Sequence, residues 1–307
     1  LTNYRASLRS ITYHSTSEDP TASTNSRTIT WVVTDANSDG AGAASSSGVT
    51  STITITPLSD VPVVTAGGTP GYTENASAAA IDNTITISDP DDANLTGATV
   101  TISSGFTTGD ILTLATQNGI SGSYNSSTGV LTVSGTASLA NYQTALRSIT
   151  FNSTSEDPTA TSGTRTITWV VTDADSESLG AESSSGVTSS ITITPLNDLP
   201  VATAGGTLSY TENGSAAAID NTIDITDPDD IELSGASVMI SSGFTTGDIL
   251  TLTTQNGISG SYNSSNGVLT VSGTAILANY QTALRSITFN STNEDPTATS
   301  GSRTITW

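Results

Sequence analysis

Two short runs, Asp89-Pro-Asp-Asp92 and Asp227-Pro-Asp-Asp230, each set three carboxylates within four positions, just after a segment where Ile alternates with polar residues. Carboxylate oxygens grouped in this way are hard donors, and Ca2+ takes about 6–8 oxygens at roughly 2.3–2.6 Å. Other acids recur in the same phase along the chain: Glu18-Asp19 with Glu156-Asp157, Asp35 with Asp173, Asp60 with Asp198, and Glu74 with Glu212. Asn197 stands directly before Asp198. Some acids drift between copies: Asp39 becomes Glu177, Asn94 becomes Glu232 and Ala44 becomes Glu182. Asp82/Asp220 and Asp110/Asp248 also recur, but they lie apart from the rest in the strand order and are read as turn residues.

Most of the fixed acids fall at strand ends on one pole of the expected fold. Asp173 ends a strand, Asn197-Asp198 forms the linker, Glu212 opens the following unit, and Asp227-Pro-Asp-Asp230 ends that unit's second strand. Gathered at a junction, they supply six or more oxygen ligands, about what one hard cation requires. Like charges this dense repel one another, so such a junction is either splayed open or filled by metal. Asp-Pro and Asn-Asp also favour turns, yet turn chemistry does not explain why several acids stay fixed at one pole.

Catalytic readings of these acids are weaker. Two carboxylates could form a glycosidase pair. The same acids, however, recur in every copy, and catalytic sites are seldom copied in series. His14 is the only histidine, and Asn152 and Asn290 stand in its place elsewhere, which removes His-dependent acid–base and triad chemistry from the repeated unit. Serine is abundant, but no base stands ready to activate it. The chain is read as non-enzymatic.

The acids repeat because the chain repeats. Leu1, Leu139 and Leu277 open near-identical segments, so 138 residues separate successive copies, and Trp31, Trp169 and Trp307 keep that phase, as do Arg27, Arg165 and Arg303. A period this long exceeds the roughly 20–50 residues of solenoid repeats and fits independent domains in series. Three segments follow: 1–59, the C-terminal part of a repeat; 60–197, a complete repeat; and 198–307, the N-terminal part of another that lacks its last strand. The sequence reads as a window on a longer array.

Composition narrows the partners. Net charge is −21, all seven basic residues are Arg, and there is no Cys. No basic patch exists to neutralise phosphates, which argues against nucleic acid. Disulfides and Lys–Asn cross-links are likewise impossible, so a staple of another kind is needed, and the carboxylates suggest a divalent cation. No apolar run approaches the ~20 residues of a membrane span.

Within residues 60–197 the pattern is all-β. A short edge segment follows Pro62. Ile81, Ile85 and Ile87 predict a strand ending at Asp89; Val100/Ile102, Ile111–Leu114 and Val130–Val133 predict three more. Leu139, Tyr142 and Leu146 fall at helical spacing and predict one short helix over 139–146, and Ile149/Phe151 begin the next strand. In Arg165–Asp173 and Val187–Pro195 an apolar face alternates with a Thr/Ser face, as in the strands of a two-sheet sandwich. On that apolar face, Trp31, Trp169 and Trp307 are expected to pack in cores rather than stack on sugars. Arg147 and Arg165 are expected to pair with sandwich carboxylates.

Taken together, these motifs resemble the cadherin-like tandem repeats of large bacterial surface adhesins. Val171-Thr-Asp173 with the strand and linker that end at Pro195-Leu-Asn-Asp-Leu-Pro200 resembles that family's xAxDxG and DxNDNxP elements. Glu212 resembles its early-strand glutamate, Asp227-Pro-Asp229 its DxD motif, and Glu156-Asp157 stands where the family has its LDRE acid. The linker departs from the pattern, with Leu196 in place of an Asp and Ser59 in place of Asn at the first junction, and the units are longer than typical cadherin domains.

The resemblance implies tandem immunoglobulin/cadherin-like β-sandwiches forming an elongated rod, with Ca2+ between consecutive domains. The implied ligands are Glu18, Asp19, Asp35, Asp60, Glu74, Asp89, Asp91, Asp92, Glu156, Asp157, Asp173, Asn197, Asp198, Glu212, Asp227, Asp229 and Asp230. The function expected is a secreted or cell-surface adhesin stalk or fibre body. A carbohydrate-binding array is the alternative. The expected partners are neighbouring repeats, other copies in lateral or end-to-end fibres, and a surface receptor or glycan.

Overall fold

A computed structural model describes residues 1–307, which divide into two compact units, Leu1–Pro195 and Leu196–Trp307. The first opens with helix α1 (Thr2–Arg9) and the antiparallel hairpin β1 (Ser26–Trp31) and β2 (Val49–Thr54). No residue before Pro62 is buried.

From Pro62 the chain builds a sandwich from β3 (Val63–Thr65), β4 (Gly71–Thr73), β5 (Ala79–Ala80), β6 (Thr86–Ser88), β7 (Asn94–Ser104), β8 (Asp110–Thr113), β9 (Ser121–Asn125) and β10 (Val130–Ser138). Helix α2 (Leu139–Arg147), β11 (Thr150–Ser153), β12 (Thr164–Asp173) and β13 (Val187–Thr194) complete it. One sheet runs β4-β13-β12-β7-β10-β9, a second β5-β11-β8, and β3 pairs with β6. Only β4 and β13 pair in parallel, with Ile193 opposite Tyr72. Both larger sheets turn their apolar faces onto one core, which includes Val100, Ile102, Leu131, Ile167, Trp169 and Ile191 from the first sheet and Leu112 and Phe151 from the second.

The period-two pattern of β12 does two jobs. Ile167, Trp169 and Val171 enter the core, and the same inward face carries Arg165 near one end and Asp173 at the other, both fully buried. Helix α2 packs Tyr142, Ala145 and Leu146 inward, and the Ser138 hydroxyl caps it by accepting the Asn141 N–H at 3.3 Å. The Tyr142 hydroxyl donates to the Gly135 carbonyl at 2.6 Å. Gly135 has φ 122°, and a Cβ there would lie 2.1 Å from the Gly119 carbonyl oxygen, so the turn admits only glycine.

The expected strand over Ile81–Ile87 is split. Asp82 accepts the Thr84 N–H at 2.8 Å and its hydroxyl at 2.6 Å, and this turn sends β5 to β11 and β6 to β3. Strand β9, with the polar sequence Ser-Gly-Ser-Tyr-Asn, has no apolar alternation to announce it.

The second unit repeats this plan with β14 (Val201–Thr203), β15 (Ala217–Ala218), β16 (Asp224–Thr226), β17 (Glu232–Ser242), β18 (Asp248–Thr251), β19 (Ser259–Asn263), β20 (Val268–Ile276), α3 (Leu277–Arg285), β21 (Thr288–Ser291) and β22 (Thr304–Thr306). Its sheets are β19-β20-β17-β22, β15-β21-β18 and β14-β16. Residues 209–211, in phase with β4, form no strand. A cavity of about 500 Å3 in this unit is lined by Tyr210, Phe289, Arg303 and Trp307 among others. The all-β sandwich architecture with one short helix per repeat is as expected, and no helix is long and apolar enough to cross a membrane.

Candidate metal centre

Strand β6 ends at Ser88, and the next four residues form a tight acidic turn. The Asp89 Oδ1 accepts the N–H groups of Asp91 at 3.2 Å and Asp92 at 2.9 Å, while Pro90 fixes its own φ. Facing this turn is the end of β12. A register shift there sets Thr172 opposite Gly97 and Asp173 opposite Leu95, and the skipped Thr96 donates its hydroxyl to the Asp173 carbonyl at 2.6 Å. This bulge brings Asp173 alongside Asp92, three residues before Leu95.

The loop after β12 closes over the turn. Asp173 accepts the Glu182 N–H on both oxygens at 3.0 Å and the Asp175 N–H at 3.2 Å. Asp175, at φ 54°, accepts the Gly180 N–H at 2.7 Å. The Ser176 N–H reaches Asp92 Oδ1 at 3.3 Å, and the Ser176 hydroxyl donates to Glu177 Oε1 at 2.6 Å.

Two overlapping triads result. Carboxylate oxygens of Asp89, Asp92 and Asp173 lie within 4.8 Å of one another, as do those of Asp91, Asp92 and Glu177. Asp92, common to both, is 3% exposed. Four oxygens of this cluster are buried with no hydrogen-bond donor: Asp89 Oδ2, Asp91 Oδ1, Asp92 Oδ2 and Glu177 Oε2. Neither of the chain's two ion pairs is here.

Burial pushes the Asp89 carboxyl up to about 6, and the adjacent Asp91 carboxyl adds to the rise. Burial also raises Asp92, assisted by the negative charges of Asp173 and Asp91 and opposed by the bonds from Ser176. Hard oxygen donors with buried, donorless lone pairs and no cationic side chain fit Ca2+.

The remaining predicted ligands are spread more widely. The Asp60 N–H donates to Asp91 Oδ2 at 2.9 Å, tying the segment before β3 to the acidic turn. Glu74 is buried where β4 ends, its N–H donating to the Thr194 carbonyl at 2.9 Å, and its carboxylate lies within 4.8 Å of that of the exposed Glu156. Asp157 is a turn residue accepting the Thr159 hydroxyl at 3.3 Å. Glu18 is exposed, and Asp19 accepts the Thr21 N–H at 3.1 Å. Asp35 folds its loop as Asp173 does, accepting N–H groups from Asn37 at 3.0 Å and Ala44 at 3.2 Å, but it is exposed.

In the second unit Asp227, Asp229 and Asp230 bring carboxylate oxygens within 4.8 Å of one another, and Asp230 is exposed. The Asp198 N–H donates to Asp229 Oδ2 at 3.1 Å and holds that carboxyl below its ordinary range. Asn197 and Glu212 are exposed. Where the sequence grouped Asp173 with the following unit's acids, the structure packs it against Asp89 and Asp92 of its own repeat. Glu177 was passed over because its type differs between copies, although the charge at that position persists as Asp39.

The acids read as turn residues have structural roles. Asp110 forms a fully buried bidentate pair with Arg165, at 2.6 Å to Nε and 3.3 Å to Nη2, while the guanidinium also donates to the Ser162 and Pro158 carbonyls. That is the pairing expected for Arg165. Arg147 instead donates its Nε–H to the Ile85 carbonyl at 2.7 Å. Asp82 accepts Gly67, Gly68, Thr84 and Ser189, and although burial opposes its charge these bonds hold the carboxyl well below the usual range.

No family model matches the chain. A 108-residue stretch is 39% identical to halomucin from Haloquadratum walsbyi, covering 33% of this chain and 1% of the relative's length. Among solved structures it is similar to mouse protocadherin-24 EC1–3 (13% identity, 93% of this chain and 79% of that one, TM-score 0.27). It is also similar to protocadherin gamma B2 extracellular cadherin domains 1–5 (13% identity, 82% and 39%, TM-score 0.28). The sandwich architecture rests on this chain's own sheets and cores.

Proposed function

We propose that the chain is part of a non-enzymatic, extracellular array of cadherin-like sandwich repeats, with units at 1–59, 60–197 and 198–307, that serves as an adhesin stalk or fibre body stiffened by Ca2+. The observation that carries this reading is the set of donorless, buried carboxylate oxygens around Asp92. Asp89, Asp91, Asp92 and Asp173 would hold the ion, whose charge offsets their repulsion. Asp60, bonded through its N–H to Asp91, links that order to the segment entering the repeat. Asp198 and Asp229 repeat the arrangement in the second unit. Glu74 and Glu156 are the candidates for a further shared ligand set.

Because ligands from separate segments converge only in the folded repeat, binding is coupled to folding. Melting temperature, protease resistance and hydrodynamic radius of the 307-residue chain, measured in EDTA and in millimolar CaCl2, test the proposal. Tighter, more resistant and hotter-melting protein in calcium is expected. No change in any of the three would overturn it.

A further inference from the structure

We infer that Asn125 and Asn263 are acceptors for an N-linked glycan, one at the tip of the same hairpin in each unit; the inference is independent of calcium. Both stand in the sequon Asn-X-Ser, as Asn125-Ser-Ser127 and Asn263-Ser-Ser265, whose modification calls for a surface position. Asn125 is the last residue of β9, the next four residues turn into β10, and Asn125, Ser126, Ser127 and Thr128 are all exposed. The Asn125 Oδ1 accepts the Ser127 N–H at 2.9 Å, and its backbone carbonyl accepts the Gly129 N–H at 3.0 Å. Asn263 repeats both bonds, with the Ser265 N–H at 3.0 Å and the Gly267 N–H at 3.0 Å. Each turn thus occupies the side-chain oxygen and leaves Nδ2, the nitrogen a glycan would take, free of bonds to the chain.

The fold holds the other sequons back. Asn152 lies in β11, the middle strand of its sheet, and the Thr154 hydroxyl donates to the Gly109 carbonyl at 3.4 Å; Asn290 and Thr292 repeat this with Gly247. In the Asn94 sequon the Thr96 hydroxyl is spent on the Asp173 carbonyl. In those of Asn75 and Asn213 the middle carbonyl accepts a tyrosine hydroxyl, Tyr72 at 3.3 Å and Tyr210 at 3.0 Å. A separate observation favours the hairpin. Strands β9 and β19 each form the free edge of their unit's largest sheet, and residues 111–146 and 249–284 carry no charge in a chain of net charge −21. An edge strand with neither charge nor Pro is open to pairing with another chain. A bulky, hydrated glycan on the last residue of that strand obstructs such pairing.

The donor is a glycan carried on a polyprenyl diphosphate. The bond from Nδ2 to the anomeric carbon forms, the bond from that carbon to the diphosphate oxygen breaks, and the lipid diphosphate leaves. The amide gives one proton to a base of the transferase. The test incubates the folded 307-residue chain with this donor and a single-subunit oligosaccharyltransferase that accepts Asn-X-Ser, and maps the product by peptide mass spectrometry. Synthetic peptides spanning 121–130 and 148–157 are run beside it. Both peptides should take glycan, whereas the folded chain should carry it at Asn125 and Asn263 and lack it at Asn152 and Asn290. Ser127→Ala should lose the glycan at Asn125 and keep that at Asn263, and Ser127→Thr should keep both. Absence of glycan from Asn125 and Asn263 in the folded chain would overturn the assignment. So would equal modification of Asn152 and Asn290, retention at Asn125 in Ser127→Ala, or failure of the 121–130 peptide to accept.

Discussion

Asp89-Pro-Asp-Asp92 and Asp227-Pro-Asp-Asp230 are the same four residues in two settings. In the complete repeat the end of β12 and the loop behind it press Asp173 and Ser176 onto the turn, and Asp92 is buried. In the second unit Asp230 is exposed. The turn itself is unchanged, since Asp227 accepts the Asp229 and Asp230 N–H groups as Asp89 accepts those of Asp91 and Asp92. Local sequence therefore makes the turn, and distant strands make the site. Tyr72 is buried where β4 pairs with β13, and Tyr210 is half-buried.

The largest expected effect concerns the buried ion pairs. Arg165→Ala leaves Asp110 charged in the core and should destabilise the complete repeat by about 3–5 kcal/mol. Arg303→Ala should cost less, because the Arg303 side chain is 12% exposed. Urea denaturation followed separately for each unit by hydrogen exchange distinguishes them, and equal losses would erase the contrast.

Next in size is calcium. At a concentration 100-fold above its dissociation constant it should stabilise the complete repeat by about 2.7 kcal/mol. The protection gained should concentrate in residues 89–92 and 174–186, with a smaller gain at 227–230. Hydrogen exchange with and without EDTA is the measurement.

Asp82 and Asp220 give a pH test. Both carboxyls are held well below the ordinary 3.8, Asp220 chiefly by the Thr222 hydroxyl. Between the folded and ordinary values the unfolded chain binds more protons, so this stability is present above about pH 4 and is lost as pH falls through the folded values. Asp82→Asn should flatten the acid limb and cost about 2 kcal/mol near neutrality. Asp220→Asn should flatten it too, since Asp220 accepts the Gly205 and Gly206 N–H groups and both the N–H and the hydroxyl of Thr222. Melting curves between pH 3 and 7 check both.

The smallest effect is at the helix starts. Ser138 caps α2, whereas Ile276 leaves α3 without a side-chain cap and is itself 46% exposed. Ile276→Ser should stabilise the second unit by about 1 kcal/mol, and Ser138→Ala should weaken the first by a similar amount, both read as shifts in denaturation midpoint.

Much of this was legible in residue order. The spacing of Leu139, Tyr142 and Leu146 marked a helix that the structure extends by one residue, and the alternation along 165–173 gave β12 its buried face. The split between β5 and β6 was not, because one Asp82 side chain outweighs the pattern of three isoleucines around it. Nor was β9, whose pairing with β10 requires no apolar signal of its own. At the acidic cluster, phase between copies pointed to Asp89, Asp91, Asp92 and Asp173, but the β7 bulge that sets Asp173 beside its own repeat's turn leaves no mark in spacing. Glu177 was hidden by a change of residue type that preserves its charge.

The parallel contact between β4 and β13 has a mechanical consequence. These are strands near the two ends of the complete repeat, joined by backbone bonds from Ser190 to Gly68 (2.9 Å), Thr192 to Pro70 (3.0 Å) and Glu74 to Thr194 (2.9 Å). Tension applied at the two ends draws parallel strands past each other lengthwise, so these bonds bear load together and must break nearly at once. An antiparallel pair pulled from a common end opens one rung at a time. The complete repeat thus has the geometry of a shear clamp.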